Sequence, residues 1–175
     1  MAFEPRIPPW MALLLLGPVV LAIIMYYAGV SPLNGVLLPE PSTLPDVDMS
    51  LPGGATARFG GRWALLYVGP GNCEKACTDT LSRTRQAHQA LGTEMVRVQR
   101  FFVATSGAPN REPGATNDPE LVVLADGAAA RDDVLASLGE FADGDVFLAD
   151  PRGNVVLRFP AGTAAQAMKE DLIRL

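Results

Sequence analysis

Residues 62–91 read RWALLYVGPGNCEKACTDTLSRTRQAHQAL, and the order of patterns within them decides the fold. Arg62–Val68 is a short apolar run with aromatic content, the signature of a buried strand. Asn72–Leu91 reads as a helix: Asn72 is placed to cap it, Glu74 falls in its first turn and Gly92 is placed to end it. Ala76, Cys77, Leu81, Thr84, Ala87, His88 and Leu91 recur at helical spacing and form its inner stripe. Met95–Val103, MVRVQRFFV, then returns as a second strand after a short connection. A strand–helix–strand unit favours a parallel strand pair. Its first junction, GPGNCEKAC (Gly69–Cys77), holds both cysteines of the 175-residue chain.

Downstream, Thr105–Pro119 carries Gly107, Pro109, Pro113, Gly114 and Pro119 and reads as a loop. ELVVLAD (Glu120–Asp126) reads as a strand and Ala129–Leu138 as a short helix ended by Gly139. DVFLA and VVLRF flank Asp150-Pro151-Arg152-Gly153-Asn154, a turn in which Pro presets φ and Gly supplies positive φ, so this is a hairpin. The last helix starts at Thr163, with Gln166 completing a capping box and Met168, Leu172 and Leu175 as its buried stripe. Strand–helix–strand, an irregular insert, then strand–strand–helix is the expected order, with helices on both faces of one mixed sheet.

Upstream, no charged residue occurs between Arg6 and Glu40. Eighteen helical residues from Met11 to Ala28 would extend about 27 Å, close to the hydrocarbon thickness of a bilayer. Trp10 at one end and Tyr26-Tyr27 at the other resemble an interfacial aromatic belt, and Gly17-Pro18 are tolerated in membrane spans. A cleaved signal peptide would want a shorter apolar core and a small-x-small site, which Tyr26-Tyr27-Ala28 and Ala28-Gly29-Val30 fit poorly. The expected organisation is a cytoplasmic terminus at 1–9, a transmembrane helix at 10–30, a spacer at 31–50 and a domain at 51–175. Pro32, Pro39, Pro41 and Pro45 stiffen the spacer. Arg6 precedes the span and the next Lys or Arg after it is Arg58, so the positive-inside bias puts the domain outside the cytoplasm.

Net charge is −5, and the residues after 50 carry 13 Lys+Arg against 15 Asp+Glu. Charge this balanced, without a basic stripe, excludes nucleic acid as the expected partner. The membrane is the expected one.

Cys73 and Cys77 are four apart, so on a helix they share a face with Cβ atoms about 5–6 Å apart. A disulfide wants about 3.8 Å, which an irregular first turn around Gly69, Gly71 and Asn72 would allow. Near a helix N-terminus both thiols are favoured as thiolates, the form that attacks disulfides and binds Cu(I) or Zn(II). A purely structural disulfide would close so small a ring that it would constrain the unfolded chain little. Two unconnected thiols are the other bland alternative; a functional dithiol is the expectation. His88 lies eleven residues beyond Cys77, about 16 Å along a helix and too far to share a metal ion. It is expected to be a partly buried residue near the helix C-terminus. Asp143, Asp145 and Asp150 lack a calcium-loop spacing and are expected to be solvated, as are Arg97 and Arg100 on a strand surface and Lys75.

GGRWALLYVGPGNCEKACTDTL (Gly60–Leu81) and VFLADPRGNVVLRFPAG (Val146–Gly162) resemble the Sco/SenC proteins, membrane-anchored thioredoxin-like assembly factors for cytochrome c oxidase. The resemblance covers roughly 51–175. It implies an α/β thioredoxin-like domain with one N-terminal transmembrane helix at the inner (cytoplasmic) membrane, single-pass, with the C-terminal domain on the periplasmic side. It makes Cys73 and Cys77 the catalytic or copper-binding pair, copper the implied cofactor, and a respiratory oxidase subunit or another assembly factor the partner. The family's third copper ligand is a histidine shortly before the late hairpin, where this chain reads GEFADGD (Gly139–Asp145). A three-ligand copper site is therefore not carried over. The expected activity is thiol–disulfide exchange, with Cys73 attacking and Cys77 resolving. A Cu(I) chaperone using both cysteines and a non-catalytic assembly scaffold are the alternatives.

Overall fold

In the computed structural model, residues 9–27, 33–46, 49–50, 56–107, 118–124, 128 and 130–174 are described. Residues 1–8 of the expected N-terminal segment 1–9, residues 28–30 of the expected span, the loop residues 108–117 and Leu175 lie outside them. The chain divides into two compact units, Met1–Leu33 and Asn34–Leu175.

The first unit contains one helix, α1 (Pro9–Tyr27), 19 residues long with Pro18 inside it. Its described side chains are exposed, among them Trp10, Tyr26 and Tyr27. No Asp, Glu, Lys or Arg occurs in those 19 residues. Counted over the described residues alone, no helix is long and apolar enough to cross a membrane.

The second unit is a thioredoxin-like α/β domain, as expected. Its strands are β1 (Val36–Thr43), β2 (Met49–Ser50), β3 (Thr56–Ala57), β4 (Trp63–Gly69), β5 (Val98–Ala104), β6 (Leu121–Leu124), β7 (Val146–Ala149) and β8 (Asn154–Phe159). Its helices are α2 (Lys75–Gln89), α3 (Arg131–Leu138) and α4 (Ala165–Arg174). The main sheet has the order β1-β8-β7-β4-β5-β6, and β2 pairs separately with β3. β4 runs parallel to β5, and β5 to β6, as the strand–helix–strand reading requires. β7 runs antiparallel to β4, and β8 to β7, closing the hairpin at Asp150–Gly153, where Gly153 has φ 87°.

A central parallel strand is covered on both faces, so it is apolar throughout rather than alternating. Six of the seven residues of β4 are buried accordingly. Ala64, Leu66, Val68, Phe101 and Val103 pack with Val134 and Leu138 of α3. Leu65, Tyr67 and Phe102 point to the opposite face, where α2 and α4 pack, and the Tyr67 and Phe102 rings lie 5.2 Å apart.

Several boundaries differ from the sequence reading. Glu74, not Asn72, is the N-cap of α2 and makes no side-chain cap bond. Thr80 replaces Ala76 in the buried stripe, and Leu91 is half-buried. Gly92–Arg97 forms a 3₁₀ turn, so β5 begins at Val98 instead of Met95. No capping box forms at α4: Thr163 Oγ1 donates to the Pro160 carbonyl, and Gln166 Nε2 donates to Glu170. Residues 36–43, expected within the spacer, form β1, which pairs with β8 at one edge of the sheet.

The start of β1 is fastened by a residue that α4 contributes. Asp171 is fully buried, and its carboxylate accepts the Asn34 N–H at 2.8 Å, the Gly35 N–H at 2.7 Å and the Asn34 amide Nδ2 at 3.0 Å. Removing it leaves the buried Gly35 N–H without its acceptor and frees the Asn34 donors beside it. Asp171→Ala is expected to destabilise the domain by about 2–4 kcal/mol, read as a shift in the urea midpoint.

Candidate functional site

The sheet places the cysteine junction at the C-terminal end of β4. Thr105 N–H donates to the Gly69 carbonyl (2.9 Å) and Gly71 N–H to the Ser106 carbonyl (2.7 Å), so the loop after β4 is seated on the loop after β5. Arg131, at the start of α3, fixes that second loop from below by donating its Nε to the Ala104 carbonyl at 2.7 Å. The loop then turns, with Cys73 N–H donating to the Gly71 carbonyl, and enters α2.

Cys73 and Cys77 are joined in a disulfide with Cα atoms 5.2 Å apart. This is the irregular-first-turn geometry that the glycines suggest, because Cys73 lies just outside the helix and Cys77 inside its first turn. Both residues are 4% exposed. Thr78 Oγ1 donates to the Glu74 carbonyl and lies 3.9 Å from the Cys73 sulfur.

A cleft of about 490 Å³ opens beside the disulfide, and Cys77 is the cysteine that lines it. Tyr67 of β4, Asp143 before β7, and Glu74, Asp79 and Arg83 of the α2 segment form its polar wall. Burial, reinforced by the Asp143 charge, pushes the Tyr67 phenol up to about 12, so it remains a protonated hydrogen-bond donor at neutral pH. Asp143 accepts a bond from Thr105 Oγ1 at 3.2 Å, which ties the cleft wall to the loop after β5. Nothing in the sequence singles out Tyr67, Asp79 or Arg83. Tyr67 reads there as one more apolar residue of a strand.

The remaining charged candidates are accounted for elsewhere. His88 is buried, 4% exposed, rather than partly exposed; its Nε2 lies 2.9 Å from both the Met95 and Val98 carbonyls and bonds α2 to the start of β5. Lys75 is exposed. Arg97 is exposed and pairs with Glu94 at 2.9 Å. Arg100, expected at the strand surface, is 1% exposed, because its side chain faces α2 and finds Asp118 there. Asp145, expected to be solvated, is 2% exposed and is held by Arg158 and by the Ala142 and Ala161 N–H groups. Asp150 accepts bonds from the Arg152 and Asn154 N–H groups and from Asn154 Nδ2. Burial alone would raise its carboxyl; these bonds outweigh it and hold the group below the usual range.

These placements bear on copper. Among the described residues, no group of three or more His, Cys, Asp or Glu is positioned to hold a metal ion. The two sulfurs are bonded to each other, and the one histidine is committed to backbone carbonyls. Among the described residues, those around the cysteine pair do not fit a three-ligand copper centre.

Residues 63–175 match the family model described as the transmembrane-like, thioredoxin-like, C-terminal domain. No curated protein matches the chain. Among solved structures, apo Sco1 from Thermus thermophilus is similar with a TM-score of 0.58 and 21% identity, covering 81% of this chain and 95% of that one. Copper-bound ScoI from Bradyrhizobium japonicum gives 0.52 and 22%, covering 77% and 97%. BsSco, described with a disulfide switch as a member of the Sco family of cytochrome c oxidase assembly proteins, gives 0.57 and 14%, covering 79% and 96%. At these identities the likeness is one of fold, and the thioredoxin-like fold of Sco type is the one expected from the sequence.

Proposed function

Because this chain belongs to the transmembrane-like, thioredoxin-like family, we propose that it is a membrane-anchored thiol–disulfide redox factor whose working groups are Cys73 and Cys77. The observation that carries the reading is the disulfide itself, at the entry to α2 and beside an open cleft. A five-residue ring adds little to stability by restricting the unfolded chain, which leaves redox chemistry as the better use of the bond. In this reading α1 (Pro9–Tyr27), which overlaps the span expected at 10–30, is the anchor at the inner membrane and the domain works on the periplasmic side. The orientation rests on Arg6 preceding an uncharged segment. The partner is a copper-site subunit of a respiratory oxidase or another assembly factor, whose cysteines the domain keeps reduced. The oxidase connection draws on what is said of the Sco proteins.

The test is an equilibrium titration of the full chain against defined thiol–disulfide ratios, read by alkylation of Cys73 and Cys77. A reversible couple within the periplasmic range is expected. A potential below about −300 mV, the region of structural disulfides, together with no exchange on partner thiols would sink the reading. A Cys73→Ser/Cys77→Ser chain that still supports oxidase assembly would make the domain a scaffold instead.

The copper-bound relatives favour one second reading, a Cu(I) carrier. It requires the disulfide to be reduced and a further donor from outside the two cysteines. An anaerobic Cu(I) competition titration separates the two: tight one-to-one binding that the double serine variant loses would establish the carrier.

A further inference from the structure

Resting on the exchange reading above, we propose that partners enter through the cleft and react at Cys77 Sγ, with Cys73 as the leaving sulfur, and that the entering thiol carries positive charge. Position near the helix start favours Cys73 as the attacking group, but access points the other way. Both cysteines are 4% exposed, yet only Cys77 lines the cleft. Cys73 instead sits on the Gly71 turn, with its sulfur toward Thr78 Oγ1. A sulfur there is well placed to leave: it lies off the first turn of α2, whose initial N–H groups lack helical acceptors and mark the positive end of the dipole.

The step balances as ordinary exchange. An incoming thiolate forms a bond to Cys77 Sγ, the Cys77–Cys73 bond breaks, and its electron pair stays on Cys73 as thiolate. The partner's second thiolate then attacks the partner sulfur of the mixed disulfide and releases Cys77. The partner becomes a disulfide, and the protein holds two electrons as a dithiol. Run backward, the direction in which the domain keeps a partner reduced, the Cys77 thiolate attacks a partner disulfide and the Cys73 thiolate then attacks Cys77 Sγ to release the partner as a dithiol, so the same sulfur is both target and nucleophile.

Charge around the entrance selects the partner. Glu74, Asp79 and Asp143 line the cleft against Arg83, three carboxylates to one guanidinium. Such an entrance draws in a cysteine flanked by Lys or Arg and turns away an acidic one.

The experiment uses full-length Cys73→Ser and Cys77→Ser chains with two probes, cystamine (cationic) and dithiodiglycolate (anionic), each rate divided by that of free cysteine. The Cys73→Ser chain, which retains Cys77, is expected to form mixed disulfides at least about tenfold faster than the Cys77→Ser chain. Cystamine is expected to be favoured about threefold or more at low salt, and the preference to shrink with added salt and in Asp79→Asn/Asp143→Asn. Independently of any variant, oxidised wild-type chain treated with cysteamine and quenched in acid is expected to carry the adduct on Cys77. An adduct on Cys73, or faster reaction of Cys77→Ser, overturns the assignment while leaving exchange intact. Equal normalised rates for the two probes overturn the charge selection. No reaction at either sulfur, with a wild-type disulfide that also resists cysteamine, overturns the exchange reading itself.

Discussion

Arg100→Leu is expected to lower the stability of the domain by about 3–5 kcal/mol, the largest effect of any single charge removal described above. Arg100 is 1% exposed on β5, and its guanidinium meets Asp118 at 2.5 Å, the Leu81 carbonyl at 3.1 Å and Thr84 Oγ1 at 3.1 Å. It therefore joins β5, α2 and the residue group that leads into β6. The loss does not measure the worth of the pair. Most of it is the penalty for leaving Asp118, 7% exposed, without its main counter-charge; Arg85 stands farther away at 3.7 Å. Arg100→Leu/Asp118→Leu is accordingly expected to recover a large part of the stability.

The pH dependence has a definite sign. Burial alone would raise the Asp118 carboxyl; the Arg100 bond, the Glu120 N–H and the charges of Arg100 and Arg85 outweigh it and hold the group below its ordinary value. Burial also pulls the Arg100 guanidinium down, but it starts so high that it stays charged throughout the accessible range. A carboxyl that is lower in the folded chain contributes stability above its unfolded value of about 3.9, and that contribution disappears as pH falls through the folded value. Urea midpoints at pH 7 and pH 3 check this: wild type should lose this increment on acidification and Arg100→Leu should not.

Gly71→Ala is expected to change both the stability of the domain and the ease with which its disulfide is reduced. A Cβ at Gly71 would lie 2.4 Å from the Ser106 carbonyl oxygen and 2.8 Å from that of Gly107. Both obstacles are backbone, and the Ser106 oxygen is already the acceptor of the Gly71 N–H. The loop must lift from its seat and take Cys73 with it. A destabilisation of about 1–3 kcal/mol is expected. Part of it should disappear when the disulfide opens, so the variant should also be reduced more readily at a fixed glutathione ratio. Gly60→Ala is the control: its Cβ would meet only the Pro151 oxygen at 3.8 Å, and neither quantity should move. Equal behaviour of the two variants would mean that the seat does not govern the disulfide.

The parts of this fold that could be read in advance are those whose signal is local. The β4–α2–β5 unit follows from an apolar run, a helical stripe and another apolar run, and the β7–β8 hairpin from Asp150-Pro151-Arg152-Gly153. The cysteine pair was legible for the same reason: its spacing and its place before a helix are contained in nine residues. What escaped depends on partners distant in sequence. Arg100 looks like a surface charge until Asp118, eighteen residues away, turns up beside it. Asp171 looks like a helix-surface acid until Asn34 and Gly35, more than 130 residues earlier, present their N–H groups. Tyr67 and Asp143 become one cleft wall only because β7 pairs with β4. Pairings between elements leave no mark at either residue alone.

The prolines of β1 have a consequence for what this domain can attach to. Pro39 and Pro41 have no N–H to offer, and they fall where the β1–β8 register breaks, between Leu37 and Ser42. A strand so interrupted cannot serve as a template for a further strand, which needs an unbroken row of donors and acceptors. β1 thus acts as a selvedge: it finishes the weave of the sheet on that side and shields β8 from ribbon-like association between copies. The irregular composition that makes residues 36–43 look like a mere connector is what suits them to be the outermost strand.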